Sequence, residues 1–133
     1  MKFSTRTTYG LRAIIKLAKN YKKGYLSLKN ISKEENISLG YLERLFSRLK
    51  KYNLIISEIG IKGGYSLARP PKKINILEIV EALEGEIIPF KCLVKTKKIK
   101  CREKKNCKAS MVLSKVQNSI KNTLKNIKLN ELL

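Results

Sequence analysis

Ser38-Leu39-Gly40-Tyr41-Leu42-Glu43-Arg44-Leu45-Phe46-Ser47-Arg48-Leu49-Lys50-Lys51 is the stretch on which the fold turns. Leu42, Leu45, Phe46 and Leu49 recur at i, i+3, i+4 and i+7, which predicts a helix over 39–51 with one buried stripe. Ser38 stands directly before it as an N-cap. Gly40, Tyr41, Glu43, Arg44, Ser47, Arg48 and Lys51 are left on the outer face. Upstream, Ser27 caps a shorter helix, 28–35, that buries Leu28 and Ile31, and Asn36-Ile37-Ser38 makes the turn between the two. Two short helices joined by a tight turn, the second with a base-rich outer face, form the helix-turn-helix pattern.

The flanks extend this unit. Leu11, Ile14, Ile15, Ala18 and Tyr21 predict a first helix over 5–21 that stops before Gly24. Downstream, 54–58 and 65–69 are β-prone runs around Gly60-Ile61-Lys62-Gly63-Gly64, and Pro70-Pro71 ends the second. A hairpin placed just after a recognition helix is a wing. Asn75 and Glu78 make a capping box for a helix over 76–84, closed by Gly85. Residues 86–106 show no periodicity and read as a loop. Leu113, Val116, Ile120, Leu124 and Ile127 then mark an amphipathic helix over 108–127. Its apolar stripe needs a cover, and a second copy of the same helix is the expected one. The expected fold is mostly α with a small β-hairpin wing: a winged helix-turn-helix plus a long C-terminal dimerisation helix. Its parts are a DNA-binding domain over 1–85 (helix-turn-helix 28–51, wing 54–69), a cysteine-containing loop over 86–107, and the dimerisation helix and tail over 108–133.

Charge and composition narrow the function. The chain has 133 residues, 30 of them Lys or Arg against 10 Asp plus Glu, for a net charge of +20. A hydrophobic content of 43% is too high for a disordered polycation. Every acid is Glu, and Asp, His and Trp are absent. A Ser-His-Asp triad, a His acid–base pair and a His-ligated metal are therefore excluded, and no enzyme is expected. The positive field asks for a polyanion, be it nucleic acid, an anionic membrane or an acidic protein, and the wing beside the helix-turn-helix turns that expectation to double-stranded DNA. No apolar run approaches the roughly 20 residues of a membrane span, and Met1-Lys2-Phe3-Ser4-Thr5-Arg6 lacks the apolar core of a signal peptide, so a cytoplasmic protein is expected. In a reducing compartment the odd count of three cysteines reads as thiols or ligands rather than disulfides.

Three motifs in order carry a resemblance: 38–46, Lys62-Gly63-Gly64-Tyr65, and Ile79-Val80-Glu81-Ala82-Leu83-Glu84-Gly85. They resemble the winged-helix regulators of the IscR group (the Rrf-two family), and the similarity runs on to Leu129-Asn130-Glu131-Leu132-Leu133. The resemblance implies a homodimeric bacterial transcription regulator, many relatives of which sense through an iron–sulfur cluster. Ser38, Gly40, Tyr41 and Glu43 fall at the helix end that meets base edges, and Arg44, Arg48 and Lys51 at phosphate-binding positions. Lys62, Gly63 and Gly64 are the expected wing contacts. Glu43 reads either as a specificity switch, accepting from a cytosine amino group, or as a surface Glu paired with Ser47 or Lys51. The wing departs from the family: many relatives have an Arg that enters the minor groove where Ile59 stands, and Lys62 would replace it only as a point charge. Tyr65 either packs the hairpin or touches DNA.

Cys92, Cys101 and Cys107 are spaced C-x8-C-x5-C, and the run 91–108 around them holds nine bases and one acid. Such a positive field favours the thiolates that metals and clusters bind. Spacing alone fits zinc or redox thiols equally well. The match to the family's cluster loop implies an iron–sulfur cluster, with 2Fe-2S favoured. The fourth ligand is the gap: where relatives have His or Asp, this chain has Ser110 and Thr8, which leaves Ser110, Glu86, Glu103 or an exogenous group. A cluster-free regulator of the same fold, controlled by a protein partner or by thiol oxidation, is the alternative.

Overall fold

The computed structural model describes residues 2–89 and 107–133; Cys92, Cys101 and Glu103, with most of the expected loop, lie outside them. The chain opens with α1 (Thr5–Lys19), α2 (Leu28–Glu35) and α3 (Leu39–Lys51). Each starts on the expected kind of serine. The hydroxyls of Ser4, Ser27 and Ser38 accept from the backbone N–H groups of Arg6, Asn30 and Tyr41. α1 ends two residues sooner than its apolar spacing suggests, because Asn20 and Tyr21 donate to the Leu17 and Ala18 carbonyls in a tighter i→i−3 turn. Asn36 closes α2 in the left-handed region, at φ 54°.

Strands β1 (Ile55–Glu58) and β2 (Gly64–Leu67) pair antiparallel, with Ile55 opposite Leu67 and Glu58 opposite Gly64. A third piece of extended chain joins this hairpin. Leu26 and Tyr65 exchange both backbone hydrogen bonds, at 2.9 and 2.8 Å. Gly64 makes that approach possible: its φ is +142°, and a Cβ there would run into the Leu26 carbonyl. Helix α4 (Ile76–Glu84) follows, opened by the capping box in which Asn75 and Glu78 bond each other's backbone N–H at 3.0 Å. Helix α5 (Lys108–Asn126) and a final 3-10 turn (Leu129–Leu132) complete the chain.

One core joins these elements. Ala13, Ile14 and Leu17 of α1 meet Leu42, Leu45, Phe46 and Leu49 of α3 and Ile79 and Leu83 of α4, all essentially without exposure. The tail belongs to this core as well. Leu129 is fully buried, Ile76 donates to the Ile127 carbonyl at 2.9 Å, and Leu129 donates to Ile74 at 2.8 Å. These bonds divide the expected stripe of α5 between two surroundings. Ile120, Leu124 and Ile127 pack against the chain's own core, whereas Leu113 is half-buried and Val116 is exposed, as are Met111 and Val112 outside the stripe. No helix of the described residues is long and apolar enough to cross a membrane.

Candidate nucleic-acid interface

α3 stands on its leucine stripe and turns Ser38, Gly40, Glu43, Arg44, Ser47, Arg48 and Lys51 outward, all exposed. Gly40 leaves open space where a side chain would be. Tyr41 is set differently, half-buried between α1 and α3. Its ring meets Tyr9 edge-on at 5.8 Å, and its hydroxyl shares a 3.1 Å hydrogen bond with the Thr5 hydroxyl. The Arg44 guanidinium lies over the same ring, 5.6 Å from its centroid, which restricts where that charge can go. Arg12 covers Tyr9 in the same manner at 5.6 Å and also pairs with Glu35 at 2.9 Å. The start of α3 is thus braced by two tyrosines and two arginines.

Glu43 makes no ion pair or side-chain hydrogen bond with another described residue, so Ser47 and Lys51 leave its carboxylate free to face a ligand. Toward the other end, Arg48 donates to the Leu83 carbonyl at 3.4 Å and joins the surface of α3 to the last turn of α4. Lys50, which lies between the inner and outer faces and was not singled out by spacing, reaches the Ser57 hydroxyl at 2.6 Å. That contact fastens α3 to β1. Three bases in the last turn of α3, Arg48, Lys50 and Lys51, also suit the negative end of the helix dipole.

The wing continues this surface. Lys62 is exposed at its tip, and a Cβ on Gly63 would be driven into the Glu58 carbonyl, so a glycine is needed there. Tyr65 packs inward: its ring meets Phe46 edge-on at 5.0 Å. Of the two roles open to it, hairpin packing is the one this geometry supports.

Cys107 is the cysteine among the described residues; it is half-buried and stands at the N-terminus of α5. The Ser110 hydroxyl donates to the Cys107 carbonyl at 2.8 Å, Thr8 is exposed, and Glu86 pairs with Lys121 at 3.2 Å. Gln117 donates to the Ile87 carbonyl at 2.7 Å, so α5 holds the chain on both sides of the cysteine segment. The described residues alone assemble no metal-binding cluster of side chains.

A family model described as "Rrf2: Iron-dependent Transcriptional regulator" matches residues 3–133. The chain belongs to the Rrf2 family. Among its Rrf2 relatives, the HTH-type regulator CymR of Bacillus subtilis is 43% identical over 93 residues, 70% of this chain and 67% of that protein. IscR of Cereibacter sphaeroides is 44% identical over 89 residues, 65% of this chain and 57% of that protein. The chain spans a similar share, 62%, of an HTH-type regulator from Neisseria meningitidis serogroup A. Solved Rrf2 structures match more completely. That of B. subtilis CymR, described as a global cysteine regulator, covers 99% of this chain and 95% of its own, with TM-score 0.77 and 33% identity. T. potens IscR covers 99% and 85%, again with TM-score 0.77 and 33% identity. These matches show the winged helix and C-terminal helix of the Rrf2 family, and the relatives are named as transcriptional regulators.

Proposed function

We propose that the chain is a homodimeric, sequence-specific DNA-binding transcription regulator whose DNA affinity answers to an iron–sulfur cluster on Cys92, Cys101 and Cys107. The observation that carries the DNA reading is the outer face of α3: exposed Ser38, Gly40 and Glu43 at one end, exposed Arg44, Arg48 and Lys51 along it, on a chain of net charge +20. Placed in a major groove, the first group meets base edges and the second meets phosphates. Lys62, Gly63 and Gly64 bring the wing backbone to the neighbouring strand. Homodimerisation is supported by Met111, Val112 and Val116, three apolar side chains left exposed on α5.

The donor set fits the cluster in its chemistry, since soft thiolates suit iron–sulfur centres and no imidazole is needed. Bound there, a 2Fe-2S centre would supply a redox- and iron-dependent cross-link. Cys107 would hold it from the N-terminus of α5. Ser110 is engaged with the Cys107 carbonyl, which favours an exchangeable fourth ligand over a protein hydroxyl. The chain's own residues offer the route to DNA. Gln117 and Lys121 bind Ile87 and Glu86 at the entrance to the cysteine segment, and Arg48 of α3 holds Leu83 just before it. A change at the cysteines would therefore be passed through these contacts to α4, α5 and the recognition helix.

A second reading is favoured by the 43% identity to CymR together with Thr8 and Ser110: a cluster-free regulator governed by thiol state or a protein partner. One experiment separates the two. Protein made without oxygen is assayed for iron and sulfide, then titrated onto a palindromic duplex with and without its chromophore. Equimolar iron and sulfide, and a coupling of about 1–3 kcal/mol between cluster and DNA, are expected. Stoichiometric zinc without sulfide, or identical isotherms, would remove the cluster from the mechanism.

A further inference from the structure

A cavity of about 410 Å³ opens between the last turn of α3 and the last turn of α4. That volume falls within the roughly 300–1,000 Å³ of small-molecule sites. Its wall carries both signs of charge: Arg48 and Lys51 line it from α3, Glu81 and Glu84 from α4. Among the described residues no ion pair joins the two sets, although Arg48 reaches α4 and donates to the Leu83 carbonyl at 3.4 Å. Opposite charges that share a cavity without neutralising each other leave room for a ligand between them. The α4 side suits a cation. Glu84 has its Oε1 filled by Ser4 and Thr7, which leaves Glu81 as the carboxylate able to take a new partner. Glu81 is half-buried at the negative end of the helix dipole, and Gly85, at φ +92°, has open space where a Cβ would stand. The α3 side suits a carboxylate. The bond to Leu83 holds the Arg48 guanidinium in place and leaves its other N–H donors for the planar fork that a carboxylate matches. Lys51 adds a second positive charge, and Tyr52 is the aromatic residue of the same wall.

We propose that this cavity binds a free α-amino acid, its ammonium on Glu81 and its carboxylate on Arg48 and Lys51. The binding stands on the cavity alone; its consequence rests on the DNA-binding reading above and deepens it. Arg48 and Lys51 are two of the proposed phosphate contacts, so a carboxylate held on them competes with the duplex. The amino acid is then an effector that lowers DNA affinity, and the duplex lowers affinity for the amino acid by the same factor. A DNA phosphate is the poorer occupant, because it brings no cation to Glu81 and meets the negative end of α4. A bare metal cation is poorer too, since Arg48 and Lys51 oppose it with like charge across the cavity.

The test titrates the full chain and the variant Glu81→Gln with a panel of the free L-amino acids found in proteins, followed by NMR. At least one amino acid is expected to move the amide signals of Lys51, Tyr52, Glu81 and Gly85 while those of Gly60 and Gly63 stay in place. Its deaminated acid and its decarboxylated amine should each bind about 10-fold more weakly or worse, since each lacks one charged partner. Glu81→Gln should keep the wild-type DNA affinity when no amino acid is present, and lose amino-acid affinity by about 10-fold or more. For the wild type, a saturating amino acid should weaken binding to a duplex selected from a random pool by about 5- to 150-fold. No response to any member of the panel would overturn the proposal. So would analogues that bind as tightly as the amino acid, amide shifts confined to other elements, or an undiminished affinity in Glu81→Gln. Should that variant fail to fold, the analogues and the amide signals decide the matter on the wild type. Binding that left the duplex isotherm unchanged would overturn the effector role. A chain that selected no duplex even without amino acid would overturn the DNA-binding reading, and the amide signals would still decide the cavity.

Discussion

Glu84 joins the first helix to the fourth through one carboxylate. Its Oε1 accepts from the Ser4 N–H at 2.8 Å, the Ser4 hydroxyl at 2.6 Å and the Thr7 hydroxyl at 2.7 Å, and Oε2 faces Arg6 at 3.4 Å. Partial burial pushes its pKa up, but the Ser4 and Thr7 hydrogen bonds, with Arg6 behind them, outweigh it and hold the group below the ordinary glutamate range. A depressed folded-state pKa means stability that is fully present above the unfolded value of about 4.3 and lost as pH falls through the folded one. Glu84→Gln should therefore lower stability near neutral pH by about 1–3 kcal/mol, the range for hydrogen bonds to a charged group, and flatten the loss on acidification. Urea melts of both proteins between pH 7 and pH 3 check this; parallel curves would show that Glu84 is not the titrating tie. None of this was legible in the sequence, since the partners lie 80 and 77 residues away and no periodicity links them. Glu43 is the opposite case, marked by its place on the helix face alone. On the proposed reading, in which Glu43 meets a base edge and no phosphate, Glu43→Ala should broaden the set of duplexes bound while leaving the salt slope nearly unchanged. Competition against permuted duplexes measures it, and an equal loss on every sequence would make Glu43 structural.

At the scale of elements, helices were legible and their attachments were not. α2, α3 and α4 run over the residues their caps and apolar spacing predict, because each buries one stripe and opens on its own serine or asparagine. The wing was legible as a hairpin from its glycines, but not its third partner. The Leu26 pairing with Tyr65 joins residues with no shared pattern, and only the fold shows that Gly64 serves that approach as well as the turn. Gly64→Ala should therefore cost more than a simple positive-φ penalty, since the new Cβ meets backbone that cannot swing aside; a loss of about 2 kcal/mol or more is expected. Gly24→Ala is the control, with φ +99° and nothing within 4 Å of the added Cβ. Equal costs for the two in thermal melts would show that the Leu26 approach relaxes. Leu129 makes the same point at the C-terminus. It resembles a residue of a polar tail, yet it is fully buried, and Leu129→Ala should destabilise by about 2–5 kcal/mol.

The whole molecule carries two surfaces, a basic face around α3 and the wing, and an apolar strip on α5. The candidate site was largely readable, since charge and face can be inferred from spacing. The strip was only half readable: the stripe showed that α5 needs a cover, but its burial by Ile120, Leu124 and Ile127 depends on the tail that pins its end to Ile74 and Ile76. What remains for a partner is Met111, Val112 and Val116. If a second copy covers them, dimerisation decides how many phosphates one complex neutralises. The observed affinity should fall with salt at a slope of about −0.9 per phosphate contact on log–log axes, and a dimer makes twice the contacts of a monomer. Val112→Lys with Val116→Lys should break the dimer without unfolding the chain, because both side chains already face solvent. Sedimentation should then show half the mass, and the salt slope on a palindromic duplex should drop to about half. The added lysines work against that drop only if they touch DNA, which their place on α5 rather than on α3 or the wing argues against. A variant of unchanged mass would remove α5 from the interface. A monomeric variant with the full wild-type slope would mean that two chains still meet on the duplex, joined by DNA and not by α5.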